Sequence, residues 1–184
     1  MNTDTKSGWI DPAAFPVCRV LQAHTAEILD EVTPLLTERV WTVWEEGPYT
    51  PTGELTQVGD GSTPCWRLYG LFLRGKRIDA HCRRCPQTAR ILAGIPHLTK
   101  AGFSVLEPGY TMIPHVGHDP KNYRIHLGLI VPPGDCGLRV GGEARGWAVG
   151  QVTMFDDTFI HEAWNRTTKP RVVLITDILN EKYR

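Results

Sequence analysis

Hydrophobic positions follow two different periods along this chain. Over 24–40, Ile28, Leu29, Val32, Leu35, Leu36 and Val40 recur at helical spacing, the pattern of one buried helix face. Pro34 falls inside that run and predicts a kink or a split. Residues 86–93 predict a short helix opened by Pro86 and ended near Gly94. Residues 9–20, with Pro12 and Pro16, predict an extended lead-in. From Gly102 onward the period drops to about two, in short runs separated by proline and glycine. Strands are predicted at 66–73, 102–107, 110–116, 123–131, 137–141, 151–155, 159–165 and 170–178. Many short strands after a helical start predict a mainly β domain, an antiparallel barrel or sandwich with helices packed outside. Segment 45–64, rich in Gly, Pro, Thr and Ser, predicts a long loop of the kind that forms lids or specificity elements. The expected organisation is one domain over 1–184: a tail at 1–8, a helical and loop support region at 9–100, and a β core at 101–180.

Composition narrows the function classes. The chain has 184 residues, 20 basic and 20 acidic side chains and a formal charge of zero. That balance gives no footprint for a polyanion, so nucleic acid is not an expected partner. No run approaches the roughly 18 apolar residues of a membrane span, and the polar N-terminus has no secretory h-region. A cytoplasmic location away from membranes is therefore expected. The five cysteines, Cys18, Cys65, Cys82, Cys85 and Cys136, are an odd count, which speaks against a disulfide framework. Cys82 and Cys85 have redox or zinc spacing. Without a second pair they read as structural thiols.

The chemistry concentrates in the second half. Residues two apart on a strand share a face. Arg124, His126 and Gly128 therefore point one way, as do Phe159, His161 and Ala163, and Arg171, Val173 and Ile175. An arginine in phase with two apolar residues is costly to bury unless it meets a carboxylate, either an internal acid or a bound one. His115 and His161, alone, would each read as a strand-end imidazole bonded to backbone. Together they form a candidate metal pair, with enough chain between them for strands to return to one pole.

Over 66–177 the chain resembles the aspartyl/asparaginyl β-hydroxylase family. The shared pieces are Trp66, Gly75, Pro86 and Thr88, then Ser104-Val105-Leu106-Glu107-Pro108-Gly109 running on to Pro114-His115-Val116-Gly117. They continue with Arg124-Ile125-His126-Leu127-Gly128-Leu129, Phe155-Asp156-Asp157, His161-Glu162-Ala163-Trp164, Arg171 and Asp177. The resemblance implies a double-stranded β-helix of the cupin or jelly-roll kind. It also implies an Fe(II)- and 2-oxoglutarate-dependent dioxygenase that uses dioxygen to hydroxylate an Asp/Asn-type residue or amino acid. By position, His115 and His161 would hold iron. Arg171, helped by Ser104, would hold the distal carboxylate of 2-oxoglutarate, and His126 the carboxylate beside the metal. Trp66 would line the cosubstrate pocket, and Arg124 would meet an acidic group of cosubstrate or substrate. Asp157 would brace the turn before His161. Asn122 and His118 are candidate substrate contacts.

Some positions depart from the commoner pattern of related oxygenases. The carboxylate often found two residues after the first histidine is Gly117 here, as in the family resembled, where water serves instead. The same gap occurs in iron halogenases. Asp119 and His118 are alternative ligands near it. The family's arginine two positions before Arg124 is Asn122, and its lumenal disulfide is absent because the partner of Cys82 is Ala89. Two further readings stand beside the peptide hydroxylase: a tailoring oxygenase acting on a free amino acid or another small metabolite, and a non-catalytic cupin-like module holding a metal or small acid.

Overall fold

The computed structural model describes residues 7–44, 66–117 and 121–183. The loop expected over 45–64 lies outside these residues, as do Cys65, His118 and Asp119. In chain order the strands are β1 (Trp9–Ile10), β2 (Thr42–Trp44), β3 (Trp66–Leu73), β4 (Lys76–Arg77), β5 (Leu98–Leu106) and β6 (Asn122–Ile130). They continue with β7 (Cys136–Val140), β8 (Glu143–Arg145), β9 (Val152–Asp156), β10 (His161–Asn165) and β11 (Arg171–Leu179). The helices are α1 (Pro16–Ala23), α2 (Thr25–Val32), α3 (Asp79–Cys82) and α4 (Pro86–Ala93). Among the described residues, no helix is long and apolar enough to cross a membrane.

A major antiparallel sheet runs in the order β1-β9-β6-β11-β5-β3-β2, with β4 pairing on β3. A minor sheet runs β10-β7-β8. Strand alternation gives the major sheet two apolar faces. Ile125, Leu127, Leu129, Phe103, Val105, Val172 and Leu174 pack with Leu21, Ile28, Val32 and Leu92 of the helices in one core. Leu106, Phe155 and Val173 share the second core with Leu138, Val140 and Ala163 of the minor sheet. Each of these Leu, Ile, Val and Phe side chains contributes about 1.5–3 kcal/mol by burial. The helices thus stay on one side of the major sheet, and the space between the two sheets is left for the site. The mainly β, jelly-roll-like architecture with outer helices is the one expected.

The differences in detail have local causes. The expected lead-in at 9–20 folds instead as β1 followed by α1, with Pro16 at the first helical position, where a missing N–H costs nothing. Helix α2 ends at Val32, and a 3-10 turn at Thr33–Thr37 takes over at Pro34. The expected strand at 110–116 is not continuous. It pairs with β10 only at Thr111–Trp164 and His115–His161, and the register slips by one between these bridges, across Pro114, which has no N–H to donate. Helix α4 covers the expected 86–93. Cys82 and Cys85 are buried thiols. Burial pushes the Cys85 thiol up to about 12, and Cys82 Sγ lies 3.2 Å from the Leu71 carbonyl. Both are therefore inert packing groups.

One connection matters for the site. The turn 146–151 folds back over β6, where Gly128 N–H donates to Gln151 O and Gly150 N–H to Gly128 O. A Cβ on Gly128 would stand 2.2 Å from Ala148 O, so only glycine admits this close approach. Gly128→Ala is therefore expected to cost about 1–3 kcal/mol, read from the urea midpoint. An unchanged midpoint contradicts this docking of the turn.

Candidate metal and anion site

The two histidines are brought together by backbone pairing. His115 N–H donates to His161 O at 2.9 Å, and His161 N–H donates to His115 O at 2.8 Å. Residues paired in this way present their side chains on one face. The ring centroids lie 4.2 Å apart at an interplanar angle of 58°. His115 Nδ1 bonds to Ile113 O at 2.8 Å and His161 Nδ1 to Phe159 O at 2.9 Å. A carbonyl only accepts, so each Nδ1 carries the proton and each Nε2 is the unprotonated, ligand-capable nitrogen. Burial lowers the pKa of His115 and pushes His161 down to about 3. Two neutral imidazoles in this tautomer suit a divalent transition metal. Among the described residues no cluster of three His, Cys, Asp or Glu groups forms a ready-made metal cage, so the donor set fits a metal that keeps open positions.

A cation without a counter-ion occupies the same pocket. Arg171 is 2% exposed, and among the described residues no carboxylate pairs with it. Its Nη1 lies 3.4 Å from Ser104 Oγ, which also accepts Trp66 Nε1–H at 2.8 Å. Arg171 Nε has no hydrogen-bond partner. Burial lowers the guanidinium to about 10, still charged at neutral pH. His126 adds a second orphan donor. The indole Nε1–H of Trp147 reaches His126 Nδ1 at 3.3 Å. Since indole only donates, the proton of neutral His126 is on Nε2, a buried nitrogen with no partner. His126 is kept neutral by burial first and by Arg171 second. Trp66, Ser104, His115, His126, His161 and Arg171 all line this one pocket. It offers donors that lack acceptors, which is the chemistry of an anion site.

Arg124 also lines the pocket, but its charge is already engaged. Rather than waiting for an acidic ligand, it holds Asp177 through two 2.9 Å hydrogen bonds, and its Nη1 lies 2.9 Å from Asp157 Oδ1. Desolvating one guanidinium beside two buried carboxylates leaves it no spare charge for a bound acid. Asp157 is also differently employed. The turn before His161 is braced by Asp156, whose Oδ1 accepts from Thr158 N–H and Oγ1–H. The Asp157 carboxylate instead fills the space beside Gly117, where a Cβ would meet Oδ2 at 1.7 Å. Its Oδ1 lies 3.5 Å from His161 Nε2. With His161 neutral this contact is not an ion pair, and the charge partner of Oδ1 is Arg124 Nη1. Burial raises the Asp157 carboxyl to about 6. Asn122 is buried but does not line the pocket, so the structure does not bring it to the site as a substrate contact. Trp147 was invisible to strand periodicity because it sits in a turn. Gly128, in phase with His126, was the one sequence mark of the close approach that places it.

The buried imidazoles set a pH dependence. His115, His126 and His161 resist protonation in the fold and not in the unfolded chain. Their stabilising contribution is present above about pH 6.5 and is lost as pH falls below it, for His161 down to about 3, each by up to about 1.4 kcal/mol per unit. Asp157, raised in the fold, acts in the opposite sense between 3.8 and about 6 and offsets one of the three. Urea midpoints of the metal-free protein are expected to fall from pH 7 to pH 4.5, with a shallower slope in His161→Gln. A flat profile in the unsubstituted protein contradicts the burial of these rings.

The aspartyl/asparaginyl beta-hydroxylase family model matches residues 22–181. The chain is 32% identical over 139 residues to the human aspartyl/asparaginyl beta-hydroxylase, covering 72% of this chain and 18% of that protein. It is 40% identical over 116 residues to the ornithine lipid ester-linked acyl 2-hydroxylase of Rhizobium tropici, covering 62% of this chain and 41% of that protein. The chain thus spans less than half the length of either relative. Among solved structures, the non-heme alpha ketoglutarate dependent epimerase SnoN from nogalamycin biosynthesis superposes with a TM-score of 0.58 at 16% identity. That match covers 95% of this chain and 77% of that one, a likeness of fold. The matched family range takes in both paired imidazoles, His126 and the buried arginine, and by that match the chain belongs to the aspartyl/asparaginyl β-hydroxylase family.

Proposed function

We propose that this protein is an Fe(II)- and 2-oxoglutarate-dependent dioxygenase that hydroxylates an unactivated C–H bond. The observation that carries the reading is the buried Arg171 guanidinium, with which no carboxylate pairs among the described residues, in one pocket with two imidazoles that present Nε2. His115 and His161 would hold the metal. Arg171 and Ser104 would bind the distal carboxylate of 2-oxoglutarate, and His126 Nε2–H would donate to the carboxylate nearer the metal. When bound, iron and 2-oxoglutarate supply dioxygen activation coupled to decarboxylation of the cosubstrate. The chain's residues bind, orient and exclude water. Met112, Leu138, Phe155 and Ile175 wall the pocket with apolar surface, which strengthens the charged contacts inside it. Asp157 can hold or release a proton beside His161 Nε2.

The engagement of Arg124 bears on the substrate. With its charge already balanced by Asp157 and Asp177, it offers nothing to a carboxylate at the reacting carbon. This favours a neutral group, such as the amide of an asparagine-type residue or a small neutral metabolite, over an aspartyl side chain. The carboxylate beside Gly117 also disfavours halogenation, since a halide there would meet a filled volume and a like charge. A module that holds a metal alone is disfavoured by Arg171, because that task does not require an uncompensated cation; one that holds a small acid is separated by whether the iron-loaded protein decarboxylates 2-oxoglutarate.

Two substitutions test the reading. Arg171→Met removes an unpaired buried charge, so the ligand-free protein is expected to gain about 1–3 kcal/mol in urea unfolding. The same change is expected to raise the 2-oxoglutarate concentration for half-maximal succinate formation by roughly 30-fold or more. A loss of stability with unchanged saturation contradicts the assignment and indicates a structural arginine. His115→Ala is expected to weaken Mn(II) binding at least tenfold, measured by calorimetry. Undiminished binding contradicts the metal pair.

A further inference from the structure

Trp147 touches both groups that would grip a diacid, yet it does not line the pocket. It arrives from the turn 146–151, which closes on β6 through Gly128. Its indole N–H donates to His126 Nδ1, and the two rings lie within 24° of parallel. The Arg171 guanidinium carbon sits 4.5 Å from the centroid of the same indole, within cation–π range.

We propose that Trp147 is a positioning residue for the anion grip, fixing His126 in its Nε2–H tautomer while its ring face holds Arg171, so that both donors face the pocket before any acid arrives. The physical reason lies in the single proton of neutral imidazole. Were that proton on Nδ1, it would oppose the indole N–H, and the Nε2 lone pair would confront an incoming carboxylate. One hydrogen bond behind His126 thus decides whether the front of the ring donates or repels. The face-on contact to Arg171 supplies no charge to neutralise the guanidinium, so it steadies the cation without competing with an anion. Pre-set donors of this kind need not reorganise on binding, which is where preorganisation adds affinity. The inference deepens the proposed function and rests on the pocket being a 2-oxoglutarate site.

Trp147→Phe separates the two contacts, since it keeps an aromatic face for Arg171 and deletes the donor. In the Mn(II)-loaded protein, its affinity for 2-oxoglutarate is expected to fall about five- to tenfold, with Mn(II) affinity unchanged. In the metal-free protein, 15N spectra of the histidine rings are expected to show His126 leaving the pure Nε2–H tautomer, while His115 and His161 keep theirs. In a His126→Gln background the same substitution is expected to change affinity less than twofold, because its target is gone. A Trp147→Phe protein that keeps the Nε2–H tautomer of His126 and full 2-oxoglutarate affinity overturns the proposal, and so do fully additive effects. If Trp147→Phe does not fold, benzothienylalanine at position 147 keeps the bicycle and removes only the N–H. If the unsubstituted Mn(II) protein binds no 2-oxoglutarate, the cosubstrate reading fails, and the tautomer spectra still decide what Trp147 does to His126.

Discussion

The structure turns on one uncompensated charge. Arg171 is buried at the start of β11, among the described residues no carboxylate pairs with it, and its surroundings are the serine hydroxyl of β5 and the indole of Trp147. Leaving a guanidinium in this state works against folding. The fold tolerates it because two apolar cores, one under the helices and one between the sheets, hold the flanking strands in register. The neighbouring charges are arranged differently. Arg124, on the neighbouring strand β6, is neutralised by Asp157 and Asp177. Among the described residues that line the pocket, Arg171 is therefore the cation without a paired carboxylate, and an anion entering is drawn to it.

The three histidines show how identical side chains acquire different roles from their hydrogen bonds. Backbone carbonyls behind His115 and His161 take the Nδ1 protons and turn unprotonated nitrogens inward. An indole N–H behind His126 does the reverse and turns a proton inward. The first arrangement suits a metal and the second a carboxylate. Burial keeps all three rings neutral, so the division does not depend on pH near neutrality. Asp157, lodged against Gly117, adds an acceptor beside the unprotonated Nε2 of His161. The space that a ligand carboxylate two residues after His115 would need is thereby filled by a carboxylate from another segment.

Much of this arrangement was legible in the chain. The change from helical to strand period located the β core. The phase of Arg171 with Val173 and Ile175 marked a buried cation, and the position of His126 two residues from Arg124 put both on the pocket face. What could not be read were partners that depend on tertiary closure. Arg124 looked like an anion contact because register alone does not show Asp177 beside it in the next strand. Asp157 looked like a turn brace because it neighbours Asp156, which performs that task. Trp147 gave no periodic signal, since its position is set by a turn docking on a glycine across the sheet. The break in the strand at 110–116 followed from Pro114 and a register slip that sequence spacing does not reveal.

The central claim, that Arg171 awaits the far carboxylate of a diacid, is tested most directly by comparing two ligands of equal length on the Mn(II)-loaded protein by calorimetry. 2-Oxoglutarate carries that carboxylate, and 2-oxopentanoate ends in a methyl group in its place. The account expects 2-oxoglutarate to bind at least 30-fold more tightly, about 2 kcal/mol for a buried charge-assisted contact. Equal affinities for the two acids would contradict it.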